Sequence, residues 1–429
     1  MSHTAIRLRS RGLAAAAAAL TLVLTGCSSG SSDSAGSGKQ TIVFWGWSDM
    51  SKPVALWNKT HADIHVKFQA ITSNFYPKLQ AAITGKEGAP DITQVDYPNL
   101  TSTIIAGDLK DITAESADLK SHFKPAVWDQ VVVNDKVYGV PQDIGTQVLY
   151  YRSDVFKEAG LTAPKTWDEY MAAAAKLKKT HPKAYTTAFP ANGGAWLASL
   201  AWNAKARWFG TDKDAWKVDL DDQPTLKVAE YWQKMLDKGY AKGDQHWQPT
   251  WFKGLAKGTY LTWIGPAWGG AALKENAPDL SGKWAVAPLP QWTKGDTAPV
   301  YWGGSLTALT SVTDKTDAAM KFITWLNTSK ESAKLLVADV LPASDIGQGI
   351  PELTKPDPYF GGQVPGEVFT VRGTESTPWT WGPTMTDTTN YLNDAMQSVI
   401  NKSTTLPDAM KKVDGETKSQ LKRKGLSVR

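Results

Sequence analysis

Short apolar segments alternate with segments of helical spacing through the first quarter of the chain, and this alternation narrows the possible folds more than any other feature. Residues 41–45, 64–70 and 91–95 are rich in β-branched and aromatic side chains, which predicts strands. Residues 52–59 and 76–84 carry apolar side chains at helical intervals, which predicts helices between the strands. Strands separated by helices form a parallel sheet covered by helices, so the sequence predicts an α/β fold.

A second block of this kind begins near the middle of the chain. Residues 145–152 (GTQVLYYR) predict a strand, and Thr166 and Glu169 have capping-box spacing ahead of an alanine-rich helix. A chain of 429 residues is too long for one ordinary core, so we expect two domains. The later pattern predicts helices at 196–208, 226–238, 317–327 and 384–401 and strands at 260–264, 284–287 and 305–310.

Composition and charge exclude several protein classes. Hydrophobic residues make up 42% of the chain and charged residues 21%, which is typical of a globular protein. The formal charge of +5 falls to about +2 once Arg7, Arg9 and Arg11 are set aside, which is too small for a nucleic-acid-binding surface. The basic run 422–424 lies in a polar helical pattern and is typical of a solvated helix face.

The N-terminal segment has the pattern of a secretion signal. A basic stretch ends at Arg11, and the apolar run 13–24 that follows is shorter than the roughly 20 residues of a membrane-spanning helix. It is followed by Thr25, Gly26 and Cys27, which is the only cysteine of the chain. The segment resembles a bacterial lipoprotein signal, which implies removal of residues 1–26 and lipidation of Cys27. The alternative is an ordinary signal peptide beside an unused cysteine.

A Gly/Ser-rich linker separates this segment from the first predicted strand. Residues 28–39 read SSGSSDSAGSGK and contain almost nothing that a core would bury. Such a linker has a root-mean-square reach of about 20 Å. We therefore expect residues 27–40 to tether a globular body to the outer face of the cell membrane.

Seven short motifs resemble, in order, the extracellular solute-binding proteins of ABC importers, in particular the oligosaccharide-binding branch that includes maltose-binding protein. The resemblance covers most of the chain after the linker. No motif is specific by itself, and the resemblance depends on their occurring in the same order along the chain as in that family. The motifs are TIVFWGW (41–47), PDI (90–92), YGVP (138–141), LYYRSDVF (149–156), KTWDE (165–169), IGPAW (264–268) and GGS (303–305).

The resemblance implies a two-lobed periplasmic-binding-protein-like fold with hinge strands and a ligand cleft between the lobes. Mapped onto this chain, lobe 1 comprises 41–146 and 306–343, and lobe 2 comprises 147–305 and 344–429. It also implies a monomer without a cofactor or enzymatic activity, which captures a carbohydrate and delivers it to the importer's permease subunits. Closure about the hinge would follow ligand binding.

The chain contains 20 tryptophans, about three times the usual share. A flat indole can stack on the apolar face of a pyranose while polar side chains bind the hydroxyl groups. Trp167, Trp232 and Trp325 lie in helical patterns, which favours core packing. The candidates in loops or at strand ends are Trp47, Trp268, Trp302, Trp379 and Trp381, together with Trp196 at a glycine-rich helix entry.

Polar candidates lie beside the expected cleft and hinge. Asp96 and Tyr97 close the third strand, where ligands bind in open sheets, although Asp96 could equally cap a helix. Asp143 lies next to the expected hinge, where its carboxylate could accept hydrogen bonds from sugar hydroxyls. The remaining candidates are Asn192 in the same helix entry, Gly304 for close backbone approach and Arg372, which could instead pair with a surface acid.

Two alternatives stay open from the residues. A secreted carbohydrate-active hydrolase needs two placed carboxylates, whose separation the sequence cannot give. The same fold could also bind a peptide or another non-sugar solute. No G-x-S-x-G, H-E-x-x-H or Walker motif is present, and His61 and His65 lack a third ligand, so we expect no metal site.

Overall fold

The computed structural model describes residues 39–370 and 379–429. The signal segment, Cys27, most of the linker and Arg372 therefore lie outside the described residues. Within the described part of the chain, no helix combines the length and the apolar character needed to cross a membrane.

Strands and helices follow the alternation seen in the sequence. The strands are β1 (Gln40–Gly46), β2 (Ile64–Ala70), β3 (Ile92–Asp96), β4 (Val132–Val133), β5 (Lys136–Val137), β6 (Val140–Arg152), β7 (Thr187–Pro190), β8 (Phe209–Asp212), β9 (Ala215–Val218), β10 (Ala241–Asp244), β11 (Thr262–Pro266), β12 (Trp284–Pro288) and β13 (Tyr301–Leu309). The helices are α1 (Ser51–Thr60), α2 (Phe75–Gly85), α3 (Tyr97–Ile105), α4 (Pro125–Trp128), α5 (Ser153–Glu158), α6 (Trp167–Thr180), α7 (Gly194–Asn203), α8 (Gln223–Asp237), α9 (Pro249–Ala256), α10 (Gly269–Asn276), α11 (Thr316–Thr328), α12 (Lys330–Leu336), α13 (Asp345–Gln348), α14 (Gly366–Phe369), α15 (Met385–Ile400) and α16 (Leu406–Arg423).

The first three strands form the parallel sheet that the sequence predicts. β1 lies between β2 and β3 and runs parallel to both. On the other side of β3 the sheet continues with β13 and β6, which are antiparallel to their neighbours. The sheet is therefore mixed, because β13 runs opposite to β3 and β6 while β1, β2 and β3 are parallel to one another.

β6 belongs to two halves of the molecule. It is 13 residues long, about twice the usual length of a strand. Its first part pairs with β13, from Val140 opposite Thr307 to Thr146 opposite Tyr301. Its second part, 147–152, pairs with β11 on one side and β12 on the other. β6 and β13 thus join two α/β halves, which gives the two-lobed fold.

A third segment passes between the halves beside these two strands. Ile144 donates its backbone N–H to the carbonyl of Leu341 at 2.9 Å, and Ala343 donates to the carbonyl of Gln142 at 3.1 Å. The three segments run side by side near residues 142–146, 301–305 and 341–343. The lobe boundaries expected at 146, 305 and 343 each lie within one of these three segments. The division of the chain into lobes at these residues stays a prediction.

The second half is organised around tryptophan. Its sheet contains β11, β6 and β12, and a bridge between Tyr185 and Tyr260 adds the parallel pair β7 and β10. On one face Trp232 packs against Trp167 and Trp196, with ring centroids 6.0 and 4.8 Å apart. The expected core role of Trp167 and Trp232 is confirmed by their burial.

Several predicted boundaries differ from the observed ones. The capping box is confirmed, since Thr166 Oγ1 accepts the backbone N–H of Glu169 at 3.1 Å. The helix predicted over 196–208 begins earlier and ends at Asn203, because Ala204 leaves the helix and Lys205 takes a left-handed backbone conformation. The sequence pattern also missed β7 and β10, which are only four residues long.

A substitution at Gly304 tests how closely β13 packs against β6 and α3. Its φ is +100°, and a Cβ built there would lie 2.8 Å from Cε2 of Tyr97 and 2.9 Å from the backbone oxygen of Asp143. We expect Gly304→Ala to lower the free energy of unfolding by about 1–3 kcal/mol through backbone strain and this clash. Chemical denaturation measures the difference.

Gly210 in β8 is the matched control for this substitution. A Cβ at Gly210 would meet no heavy atom within 4 Å, and its φ lies outside the left-handed region. We expect Gly210→Ala to change stability by less than about 1 kcal/mol. Equal losses in the two variants would contradict a special constraint at Gly304.

Candidate functional site

The loop after β1 places Trp47 at the carboxyl edge of the parallel sheet. The indole is half-buried and stands edge-on to Phe75 of α2, with ring centroids 4.9 Å apart. Its backbone N–H donates to Oε1 of Gln94 at 3.0 Å, and that of Ser48 donates to the same oxygen at 3.2 Å. Gln94 of β3 therefore fixes the backbone of this loop.

Asp96 ends β3 in a cage of neutral donors. The Tyr76 hydroxyl donates to Oδ1 of Asp96, and the Asn99 amide donates to both carboxylate oxygens at 2.9 and 3.0 Å. Burial raises the pKa of Asp96, and the hydrogen bonds from Tyr76 and Asn99 only partly offset it. Asp96 occupies the N-cap position of α3, yet its side chain makes no capping hydrogen bond.

Asp143 of β6 and Tyr97 at the start of α3 are joined by a hydrogen bond beside β13. The Tyr97 hydroxyl donates to the backbone carbonyl of Asp143 at 3.1 Å, and Ser305 of β13 donates to the Asp143 carboxylate. Only 5% of Asp143 is exposed. Burial raises the pKa of this carboxyl to about 7, against the lowering effect of Ser305, and the nearby charge of Asp96 adds to the rise.

Three half-buried indoles form a cluster in the second half: Trp247, Trp268 and Trp302, named here the indole cluster. Trp247 is stacked on Trp268 with ring centroids 5.2 Å apart, and its centroid is 6.2 Å from that of Trp302. Trp247 follows β10 and Trp268 follows β11. β6 leaves the first half as it enters the second, and β11 is antiparallel to β6, so β11 ends at the edge of the second half that faces the first.

Asn192 holds the loop that carries Trp247. Its amide nitrogen donates to the carbonyl of His246 at 3.1 Å, and its amide oxygen accepts the backbone N–H of His246 at 2.9 Å. The next residue, Trp247, has a φ of +68°, a left-handed conformation that is rare for a bulky side chain. Asn192 thus helps to orient an indole, and its exposed amide keeps one N–H donor that these two bonds do not use.

Trp379 and Trp381 pack around Trp202 of α7. Trp379 is half-buried and stacks on Trp202 with centroids 5.5 Å apart, while Trp381 is 8% exposed and meets the same ring edge-on. The carbonyl of Trp381 accepts a hydrogen bond of 3.1 Å from the Thr101 hydroxyl of α3. This group therefore joins the second half to the first.

The structure places Trp196 differently from the other candidates. Only 1% of it is exposed, and it packs against Phe189 and Trp232. The helix entry beside it is also occupied, because the Gly194 N–H donates to the Asn393 side chain at 2.8 Å. Trp196 is therefore a core side chain of the second half and presents almost no accessible surface. Arg372 lies outside the described residues.

Four consecutive residues of β13 bring the remaining candidates together. Tyr301 lies 5.5 Å from Trp202, ring to ring, and Trp302 belongs to the indole cluster. A Cβ on Gly303 would lie 3.8 Å from Nε1 of Trp268. Gly304 abuts Tyr97, whose helix begins beside Asp96. β13 thus connects Asp96 and Tyr97 in the first half with the indole cluster in the second.

Sequence reasoning missed two residues of this arrangement. Trp247 was not singled out because the strand before it, β10, has only four residues and gave no strand pattern. Gln94 was not singled out because it lies inside a strand, between the PDI motif (90–92) and Asp96. A polar side chain inside a short buried strand was the signal available for it.

Potential metal ligands come together at one place in the part of the chain that the structure describes. These ligands are Asp219, Asp221 and Asp414. Asp414 already accepts hydrogen bonds from Leu220 N–H at 3.0 Å and from Lys418 at 2.6 Å. The ring of His61 lies flat on Trp57, with centroids 3.5 Å apart, which accounts for it without a metal.

Replacement of Asp143 tests the effect of its burial. Its folded-state pKa of about 7 lies above the unfolded value, so the folded protein binds more protons between about pH 4 and about pH 7. The contribution of Asp143 to stability therefore falls as pH rises through this range. The free energy of unfolding of Asp143→Asn, relative to that of the parent protein, should therefore increase by on the order of 2 kcal/mol between pH ~5 and pH ~8. Chemical denaturation at both pH values measures this, and a pH-independent difference would contradict it.

Comparison with known proteins gives the family. Residues 47–333 match the family model described as bacterial extracellular solute-binding protein. The arabinooligosaccharide-binding protein of Bacillus subtilis (strain 168) is 28% identical over 326 residues, covering 72% of this chain and 74% of the relative.

Solved structures agree with this match. The galacto-N-biose-/lacto-N-biose I-binding protein of the ABC transporter from Bifidobacterium longum is 25% identical and has a TM-score of 0.81, with 91% of this chain and 100% of that chain covered. An ABC transporter associated binding protein from B. animalis subsp. lactis, in complex with β-1,6-galactobiose, is 25% identical with a TM-score of 0.75, covering 91% and 99%. The family match spans more than half of the sequence, and the chain belongs to the bacterial extracellular solute-binding proteins.

Proposed function

We propose that this protein is the binding component of an ABC importer, and that it captures a carbohydrate, most simply a short oligosaccharide, for delivery to the permease subunits. The observation that carries this proposal is the indole cluster. Three half-buried indoles at the edge of the second half offer flat apolar surface of the kind that a pyranose ring covers.

The relatives support a sugar over other solutes. The names of the similar proteins include arabinooligosaccharide-, lactose- and maltodextrin-binding proteins. The two structures described above are complexes with β-1,6-galactobiose and lacto-N-biose. A ligand of at least two rings would match both these neighbours and a cluster of several indoles.

We propose binding without catalysis. A hydrolase needs two carboxylates that reach the substrate, one as acid and one as base or nucleophile. Asp96 and Asp143 are the two carboxylates among the expected ligand-binding residues, yet Asp143 is almost wholly buried and each is held by neutral hydrogen-bond donors. Recovery of an intact sugar after incubation with the protein would support this part of the proposal.

We also propose that ligand binding closes two lobes about the three crossing segments, with the boundaries expected from the sequence. Glycines with positive φ at 303 and 304 lie in one of these segments, where a small backbone rotation would move a whole lobe. Small-angle scattering with and without a bound sugar would show a decrease in the radius of gyration on closure. An unchanged profile at saturation would contradict it.

The indole cluster gives the sharpest test of ligand class. Calorimetric titration with arabinooligosaccharides, β-1,6-galactobiose, lacto-N-biose and maltooligosaccharides should identify at least one ligand. Trp247→Ala or Trp268→Ala should then weaken its binding at least about tenfold, since loss of an aromatic anchor costs on the order of 2 kcal/mol. Affinity for peptides or metal ions alone would contradict the carbohydrate assignment.

Trp216 is the matched control for these substitutions. It is also half-buried, but it lies in the hairpin of β8 and β9, beside Val428. Trp216→Ala removes the same side chain and should leave the dissociation constant within about twofold of that of the parent protein. An equal loss in Trp216→Ala would show that general loosening, and not a stacking surface, explains the weaker binding.

We further propose that Cys27 carries the lipid that anchors the protein outside the cell membrane, as a monomer. The support is the signal pattern of the sequence, since Cys27 lies outside the described residues. Cys27→Ser should move the protein from the membrane pellet to the soluble fraction in the native host. Metabolic labelling with a fatty acid should be lost in the same variant. Continued membrane association without the cysteine would contradict lipid anchoring.

A further inference from the structure

The side-chain amide of Gln94 is fully used in holding groups from two separate parts of the chain. Its oxygen accepts the backbone N–H groups of Trp47 and Ser48. Its nitrogen donates to the hydroxyl of Ser48 at 3.1 Å and to that of Ser305 at 2.9 Å. A primary amide has two donors and two principal acceptor sites, so no other residue type of this size can make the same four bonds.

The hydrogen bonds continue to Asp143 in one direction. Ser305 accepts from Gln94 and donates its own proton to the Asp143 carboxylate. Each group in the row from the Trp47 backbone to Asp143 therefore donates toward the carboxylate, which is the terminal acceptor. An ionised carboxylate strengthens such a row, because charge-assisted hydrogen bonds are stronger than neutral ones and polarise their neighbours.

Asp143 and Ser305 stand where the crossing segments meet. They are directly opposite each other in the β6–β13 pairing, and Asp143 also forms a bridge with Pro342 of the third segment. A change in the angle between β6 and β13 would move Asp143 relative to Ser305, which the β3–β13 pairing keeps beside Gln94. The row thus connects the hinge with the loop that presents Trp47.

The groups that face Asp143 are acidic or neutral. Asp96 approaches from β3, the Tyr97 hydroxyl from α3 and the Ser305 hydroxyl from β13, while Tyr301 of β13 is the other phenol close to Tyr97. Among the described residues, no lysine or arginine forms an ion pair with Asp143. Protonation of this carboxyl near neutral pH would therefore weaken the final bond of the row without a compensating cation.

We propose that Asp143, Ser305 and Gln94 are positioning residues for the loop of Trp47, and that the protonation state of Asp143 sets how firmly this loop is held. The carboxylate form holds the loop in the arrangement seen here. The acid form frees the Ser305 hydroxyl to reorient, which loosens Gln94 and the two backbone N–H groups that it binds. That this loop contacts sugar rests on the proposed function, while its coupling to Asp143 does not.

Fluorine NMR of the complete protein, without any sugar, tests this coupling. With 5-fluorotryptophan in all tryptophan positions, the signal missing in Trp47→Phe identifies Trp47. Its chemical shift should change with pH in a single step centred at about 7. Asp143→Asn should abolish the step, and so should Ser305→Ala, which breaks the row but leaves Asp143 in place.

Conservative and neighbouring substitutions separate positioning from other effects. Ser305→Thr keeps a hydroxyl and should retain the step, while Asp96→Asn removes the other nearby acid and should also retain it. The signal of Trp216, in the distant hairpin, should show no step at this pH. Unchanged signals from the remaining tryptophans confirm that each variant is folded.

Several results would overturn the proposal. These are a Trp47 signal without a step near neutral pH, a step that survives Asp143→Asn, and a step that disappears in Asp96→Asn. The first result needs only the parent protein and Trp47→Phe, which assigns the signal, so the test stands even if an Asp143 or Ser305 variant does not fold. Because no sugar is used, failure here leaves carbohydrate binding intact, and failure to bind any sugar leaves this coupling intact.

Discussion

The pairing of β6 with β13 is the constraint on which the rest of the structure depends. Gly145 lies so close to β13 that a Cβ there would stand 2.1 Å from the carbonyl oxygen of Trp302. This close contact brings Asp143 opposite Ser305 and turns Trp302 toward Trp247. Both the polar and the aromatic parts of the candidate site are therefore fixed by the same few residues of two strands.

Burial divides the tryptophans into two groups, those that fill the core and those that keep accessible surface. Trp167, Trp232 and Trp263 lie in the cores on the two faces of the second-half sheet, where large flat rings fill the space between sheet and helices. Trp247 and Trp268 lie beside that core and keep accessible surface. A stacking surface of this kind can be rigid because the packed indoles beneath hold its rings in place.

The sequence predicted the α/β alternation and the capping box at Thr166, because both depend on local spacing. It also placed Asp96 and Trp268 at strand ends that do face the other half. It could not show that Asp143 is enclosed by Ser305, since the two are 162 residues apart in the chain. Nor could it separate Trp196 from Trp247, because α7 is almost entirely apolar and β10, which precedes Trp247, has only four residues. Neither pattern shows which indole is covered.

Asp143 is almost wholly buried and Asp96 is half-buried, and the environment of these two acids bears on the kind of ligand that fits beside them. Asp96 and Asp143 are held by phenol, amide and hydroxyl groups, and burial raises the pKa of both. A cleft for a cationic solute would instead keep its acids ionised and accessible, since their charge provides the attraction. Neutral donors that hold both acids, together with half-buried indoles, suit a neutral ligand with many hydroxyls. Among the residues that the structure describes, no lysine or arginine pairs with Asp143, so the surroundings that suit a neutral ligand also allow this carboxyl to change protonation near neutral pH, as proposed for the loop of Trp47.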